Sequence, residues 1–564
     1  MHRPTIRRGR SAALLLLAAG LAGCAGPGTP RVVVGAAPAV PPASAAASAV
    51  RAASAAAASI VPDSAVRRLR ILHTNDFHGR LLPEPWASPT GALGGSALLA
   101  AHIDSARASF DGPVLLLSAG DDMQGTAISN LSWGAATIAS HNALRYTAAA
   151  PGNHEFDWGI DTLRARVAES QFPWLAANVV ETATGRSPSW LRPWLMLDTL
   201  GVKVAIVGLA LPETPWVVLA DRVSGLTFLP AAPALDAAAR EARAAGADFV
   251  VATMHIGVVC AAPGTAPRER SEACFGDAIG VAEALTERVD LIVGGHTHRR
   301  AITEAAGVPI IEAASYSQAL SVTDLERRGV APARVTDQRV EWVGADGVTP
   351  NAAVAALVEA WDARVRPLTG RVVAELAEVL RGGDADSPLG NLLADAFLAA
   401  TGADAVLVNN GSLRRTLPAG PVTYGTLYEF QPFQNELVVV TVPVSLVRAA
   451  LEHGAVGPGR RLSVHIAGIR VTIDPNAAQG TRVGTITRAD GRVLADTDTV
   501  RVGLTDFVAG GGDRFTMFVG QPRQPTGIVD VDALVQYLSR GPQPVRPDRA
   551  PRVVFTDGRS PPPR

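Results

Sequence analysis

Short apolar runs separated by amphipathic stretches organise the chain from Arg67 onward. Leu69–Thr74, Val114–Ser118, Val202–Leu209, Phe249–Met254 and Leu291–Val293 are runs of β-branched and other apolar residues, and they read as strands. Gly94–Ser109, Ala231–Ala245 and Ala278–Arg288 space their apolar positions as helices do. This alternation predicts an α/β layered domain whose site lies in the loops beyond the strand ends. A helix over Asn351–Arg364 leads into Pro367 and a second block of different composition, read as an α+β domain. The expected organisation is a first domain over 66–345, a linker helix over 346–366, a second domain over 367–542 and a Pro-rich tail over 543–564.

Before Arg67 the pattern changes. Arg3, Arg7, Arg8 and Arg10 precede an apolar run, Ala12 to Ala22, that ends in Leu21-Ala22-Gly23-Cys24. A bilayer-spanning helix needs about 20 apolar residues, so this run is too short. A basic start, a short apolar core and small residues before a cleavage point mark a secretory signal, here residues 1–23. Leu-Ala-Gly-Cys is similar to the lipobox of bacterial lipoproteins, which makes Cys24 the expected lipidation site; ordinary secretion is the alternative. Residues 24–65, rich in Ala, Pro and Ser, cannot bury a core and read as a flexible tether. Ala25 rather than aspartate after Cys24 points to a lipid-anchored protein of the outer membrane, facing the periplasm.

Composition changes this picture in three places. A length of 564 residues calls for two domains, and 48% hydrophobic residues supply their cores. A net charge of −1 argues against a nucleic-acid polymer as partner. The mature chain keeps Cys260 and Cys274, both in one Pro- and Arg-rich stretch; an oxidising compartment favours a local disulfide over two free thiols.

Every strand named above except Val202–Leu209 ends in potential metal ligands. The clusters are Asp76-Phe77-His78, Gly120-Asp121, Gly152-Asn153-His154-Glu155-Phe156-Asp157, His255 and Gly294-Gly295-His296-Thr297-His298. Carboxylate, imidazole and amide donors without thiolate suit divalent ions of the Mn, Zn, Fe, Co or Mg class. Singly, Asp121 could cap a helix and Asn153 could hold a turn. His73, His102, His141, His453 and His465 are read as structural. Clusters in this order, nearly all beside glycine and beyond apolar strands, do not arise that way.

The series resembles the calcineurin-like metallophosphoesterases, and Gly-Asn-His-Glu-Phe-Asp with Gly-Gly-His-Thr-His is similar to their 5'-nucleotidase branch. The resemblance spans residues 70–300 and implies a layered metallophosphoesterase β-sandwich flanked by helices, holding two divalent metal ions. It implies that Asp76, His78, Asp121 and His298 hold one ion, and that Asp121 bridges to a second bound by Asn153, His255 and His296. His154 would stabilise the phosphoryl transition state and protonate the leaving oxygen, with Asp157 orienting it.

In the second domain, Asn409-Asn410-Gly411-Ser412-Leu413-Arg414, Pro432-Phe433-Gln434-Asn435, Asp506-Phe507 and Gly510-Gly511-Gly512-Asp513 resemble the 5'-nucleotidase substrate domain. By that resemblance Phe433 and Phe507 sandwich a base, Asp513 holds ribose hydroxyls, Asn409 contacts the nucleoside and Arg414 grips phosphate. Two features depart from the family. Arg381, the expected further phosphate contact, stands well upstream of Leu389-Gly390-Asn391, and Gly-Ser-Leu-Arg replaces Gly-Gly-Ile-Arg. The implied reaction is hydrolysis of nucleoside 5'-monophosphates to nucleoside and phosphate. UDP-sugars or 2',3'-cyclic nucleotides are the alternative substrates, and a catalytically silent nucleotide-binding lipoprotein is the alternative of another class.

Overall fold

The computed structural model describes residues 66–88, 91–260, 274–384, 386–455 and 462–557. The signal and tether segments with Cys24 lie outside the described residues, as do 558–564. In the first domain the apolar runs become two facing sheets. One is ordered Arg334–Trp342, Ala319–Arg328, Val66–Thr74, Val114–Ser118, Ala148–Ala149. The other is ordered Arg300–Ala305, Val308–Ala313, Leu291–Gly294, Phe249–Met254, Val202–Leu209, Trp194–Thr199. The central strands of each sheet run parallel, so their carboxyl ends share an edge.

Side-chain alternation sorts each strand between layers. Ile71, Leu115, Leu117, Phe249, Val251, Leu291 and Val293 meet between the sheets. Leu72 and Leu116 turn outward to Ser96–Ala108, Ala135–Leu144 and Ala352–Thr369, whereas Val250, Ala252 and Ile292 turn to Ala231–Ala244 and Asp277–Glu283. With both faces covered, the strands read as continuous apolar runs. The helix expected over 278–288 is shorter because the Thr286 and Glu287 N–H groups bind the Asp236 carboxylate instead of continuing it. The linker helix is longer than expected: Asn351 caps its start, and Pro367 sits within its last turn.

The second domain is built on a sheet ordered Val464–Ala467, Ala405–Asn409, Thr499–Thr505, Glu436–Pro443, Arg523–Val529. Val406 and Val408 face Pro388–Thr401 and Asp530–Arg540; Ala405 and Leu407 face Val444–Gly454 and a three-stranded sheet. That small sheet corrects the expectation of a tail. Val553–Phe555 pairs with Ile469–Ile473, burying Val553 and Phe555 while Val554 faces out. Three residues are too few to show a strand's period of two in a proline-rich stretch. Cys260 and Cys274 form a disulfide across a short strand pair. No helix among the described residues is long and apolar enough to cross a membrane.

Candidate functional site

Loops leaving both sheets bring the expected ligands into two groups. The donor atoms of Asp76, His78 and His298 lie within 4.8 Å of one another, and those of Asp121, His255 and His296 do likewise. Asp121 Oδ2 stands between the groups, 3.1 Å from His255 Nε2 and 3.9 Å from His78 Nε2. His78 Nδ1 donates to Gln124 O at 2.7 Å and His255 Nδ1 to Ala119 O at 2.8 Å. A carbonyl only accepts, so the Nε2 lone pair of each ring is left for the cluster.

Buried Asp76 Oδ1, Asn153 Oδ1 and His255 Nε2 have no hydrogen-bond partner among the described residues. Such orphaned atoms are costly unless something satisfies them. With imidazoles, carboxylates and an amide around them, the residues fit two divalent metal ions. The loops reach this geometry through left-handed backbone at Asp76 (φ 50°), His78 (49°), Asp121 (57°), His296 (80°) and His298 (58°). Asp and His are among the residues that tolerate that region best. Gly152 is required by close approach, since a Cβ there would stand 2.1 Å from Asp121 Oδ1.

Three side chains that the sequence reading passed over hold these loops. Glu155 accepts the N–H groups of Asp121 (2.7 Å), Asp122 (2.8 Å), Met123 (3.1 Å) and Gly152 (2.7 Å). Burial and the Asp122 and Asp121 carboxylates push its pKa up to about 8, against the pull of those N–H donors. Glu312 ties Val258 to Thr297 and Arg299, and Asn75 ties Asp76 to Ala313 and Ala314. Glu155 lies inside a motif already singled out, but nothing local in the sequence marks Glu312. His73, left as structural, bonds Ser321 on the adjacent strand of its own sheet and Gly294 across the sandwich.

His154 Nδ1 lies 2.8 Å from Asp157 Oδ2, and the His154 backbone N–H donates to Asp121 Oδ1 at 2.9 Å. Burial disfavours the imidazolium, but the Asp157 and Asp121 carboxylates outweigh it and raise the His154 pKa. His154, Asp157, Asn153 and His296 share a cavity of about 180 Å³ with Asn409, Arg414, Phe433, Phe507 and Asp513 of the second domain. Both phenylalanines are half-buried. The Phe433 ring centre is 5.8 Å from that of His154, and the Arg414 guanidinium carbon sits 5.6 Å above Phe433. Asn409 Nδ2 donates to Asp513 Oδ2 at 2.6 Å, while burial raises the Asp513 pKa. Arg381 is not in this cavity. It lines a neighbouring one of about 470 Å³, on the His78 side, with Arg80, Arg414 and Arg415.

A sandwich with two clustered ion sites at its carboxyl edge, closed by a second domain, defines a metal-dependent phosphoesterase. Residues 69–300 match the calcineurin-like phosphoesterases, and residues 372–520 match the 5'-nucleotidase C-terminal domain. The chain belongs to the 5'-nucleotidase family of metallophosphoesterases. It is 26% identical to a 5'-nucleotidase of Vibrio cholerae, over 84% of this chain and 90% of that one. The 5'-nucleotidase precursor of Thermus thermophilus superposes with a TM-score of 0.77 at 26% identity, covering 86% of this chain and 99% of that one. Endonuclease YhcR of Bacillus subtilis is 25% identical over 87% of this chain, which spans only 41% of YhcR.

Proposed function

We propose that the protein hydrolyses nucleoside 5'-monophosphates to nucleoside and phosphate, outside the cytoplasm, while tethered through a lipidated Cys24. The observation that carries the substrate assignment is the shared cavity in which Phe433, Phe507, Asn409 and Asp513 face His154 and the ion cluster. Half-buried aromatic faces stack on any base, and a carboxylate paired with an amide suits ribose hydroxyls. Asp76, His78, Asp121 and His298 would hold one ion, and Asp121, Asn153, His255 and His296 the other. Bound there, two divalent cations would polarise the phosphoryl oxygens and lower the pKa of a bound water towards neutrality.

The chain's own residues do the rest. His154, raised in pKa and oriented by Asp157, carries a proton at Nε2 for the departing ribose oxygen. Arg414 lies beside both His78 and Phe433, so its fork meets the phosphoryl group where the base is clamped. The neighbouring cavity on the His78 side favours a second reading, in which the phosphate carries a further group, as in UDP-sugars. A silent nucleotide binder has no use for an intact ligand set with a His154–Asp157 pair.

The test compares AMP with a small aryl phosphate. Loss of one stacking ring costs about 1–3 kcal/mol by analogy with base stacking, a several-fold to hundred-fold fall in kcat/KM for AMP. Phe433→Ala and Phe507→Ala should lower the AMP to aryl-phosphate ratio, whereas His154→Ala should damage both substrates alike. A ratio unchanged in both folded phenylalanine variants would remove the nucleotide assignment and leave the phosphoesterase.

A further inference from the structure

Arg80, Glu84, Arg415 and Glu429 form a ring of alternating charge across the seam between the two domains. Arg80 Nη1 donates to Glu429 Oε2 at 3.1 Å and lies 3.5 Å from Glu84 Oε2. Arg415 Nη2 reaches both Glu84 oxygens, at 3.2 and 3.1 Å, while its Nη1 donates to Glu429. The four side chains are only 12%, 15%, 19% and 20% exposed for Arg80, Glu84, Arg415 and Glu429. Forked arginine–carboxylate contacts in a partly buried network hold geometry better than isolated surface pairs do.

The chain around Arg415 has little else to hold it. Leu413 is fixed through Asn410, and Leu417 exchanges hydrogen bonds with Leu380 at 2.9 and 3.0 Å. Between them, residues 414–416 contribute one backbone hydrogen bond among the described residues, Arg414 N–H to Phe430 O at 3.3 Å. Arg414, the next residue along, places Nη2 3.4 Å from His78 Nε2 and its guanidinium over Phe433. The loop that presents the phosphate-gripping side chain is therefore anchored chiefly by its neighbour.

We propose that Arg415 is a positioning residue that aims Arg414 at the phosphoryl group, and that Glu84 makes this aim depend on docking of the two domains. The proposal rests on the reading of Arg414 given above. Arg414 then grips phosphate only when the first domain supplies Glu84 and Arg80.

The experiment is a double-mutant cycle on the full chain, reading kcat/KM for AMP in wild type, Arg414→Ala, Arg415→Met and the double variant. Arg415→Met should cost about tenfold in the wild-type background and less than about twofold once Arg414 is gone, the coupling expected of residues acting through one another. Arg415→Lys, which keeps one charged contact, should recover part of the loss. Glu84→Gln serves as the second entry to the cycle if Arg415→Met is poorly folded, and should behave alike. An equal loss in both backgrounds, as from a merely structural clasp, overturns the proposal. An Arg414→Ala variant with wild-type kcat/KM overturns it too, and identifies the phosphate-gripping reading as the part that failed.

Discussion

Replacing Glu155 by glutamine should loosen the ion site without touching an ion ligand. The carboxylate accepts four N–H groups, two on each oxygen: Asp122 and Met123 on Oε1, Asp121 and Gly152 on Oε2. An amide keeps one acceptor oxygen and turns its NH2 on the other pair of donors. A net hydrogen bond is worth about 0.5–1.5 kcal/mol, so losing two removes roughly 1–3 kcal/mol from the loops carrying Asp121 and Asn153. Outer partners of metal ligands typically change affinity by about 10- to 100-fold, and loss at the upper end is expected because both loops share this anchor. The assay is metal titration of the chelated protein, following ion content and AMP hydrolysis together. The half-activating metal concentration should rise, while kcat at saturating metal stays within a few-fold of wild type. Unaltered metal affinity with unaltered thermal stability would refute the reasoning, since four short hydrogen bonds would then hold nothing.

His465 gives a pH prediction away from the ions. Burial and the Arg552 charge lower its pKa to about 3, while an unfolded histidine titrates near about 6.5. Between those values the unfolded chain binds a proton that the folded one refuses, so stability falls as pH drops, by up to about 1.4 kcal/mol per unit. His465→Gln should flatten that acid limb in denaturant melts relative to wild type, and an identical limb would show that His465 is not its source. For the anchor, Cys24→Ser should move the protein from the detergent-extracted membrane fraction to a soluble or unprocessed form. Unchanged fractionation would set the lipobox reading aside.

Legibility in the sequence followed burial. Val114–Ser118, Val202–Leu209 and Phe249–Met254 are strands with the bounds the apolar runs indicate, because strands covered on both faces are near-continuously apolar, with Lys203 the one charged interruption. Asp76, Asp121, His255 and His296 were legible because each lies just beyond an apolar strand, whereas Asn153 and His154 were legible from the Gly-Asn-His-Glu-Phe-Asp motif itself. The short Ala148–Ala149 strand and the Val553–Phe555 strand were not, since two or three residues make no periodic signal. Glu312 and Asn75 escaped because their work is to accept and donate hydrogen bonds between loops far apart in the chain. The Arg80–Glu84–Arg415–Glu429 ring was hidden for the same reason: only docking of two domains makes neighbours of its charges.

The left-handed backbone at Asp76, His78, Asp121, His296 and His298 has a consequence for how long the molecule lasts. Sparsely populated conformations cost on the order of 1–3 kcal/mol each, and Asp and His sit at the low end. Even so, the sum is comparable with the 5–15 kcal/mol or so that holds a typical domain folded. Cations that bind the folded chain alone shift that balance back by mass action, by about 2.7 kcal/mol at a hundred times their dissociation constant. In ion-poor surroundings the same loops open more often and meet proteases more often. The divalent ions around the protein thus set its survival as well as its turnover.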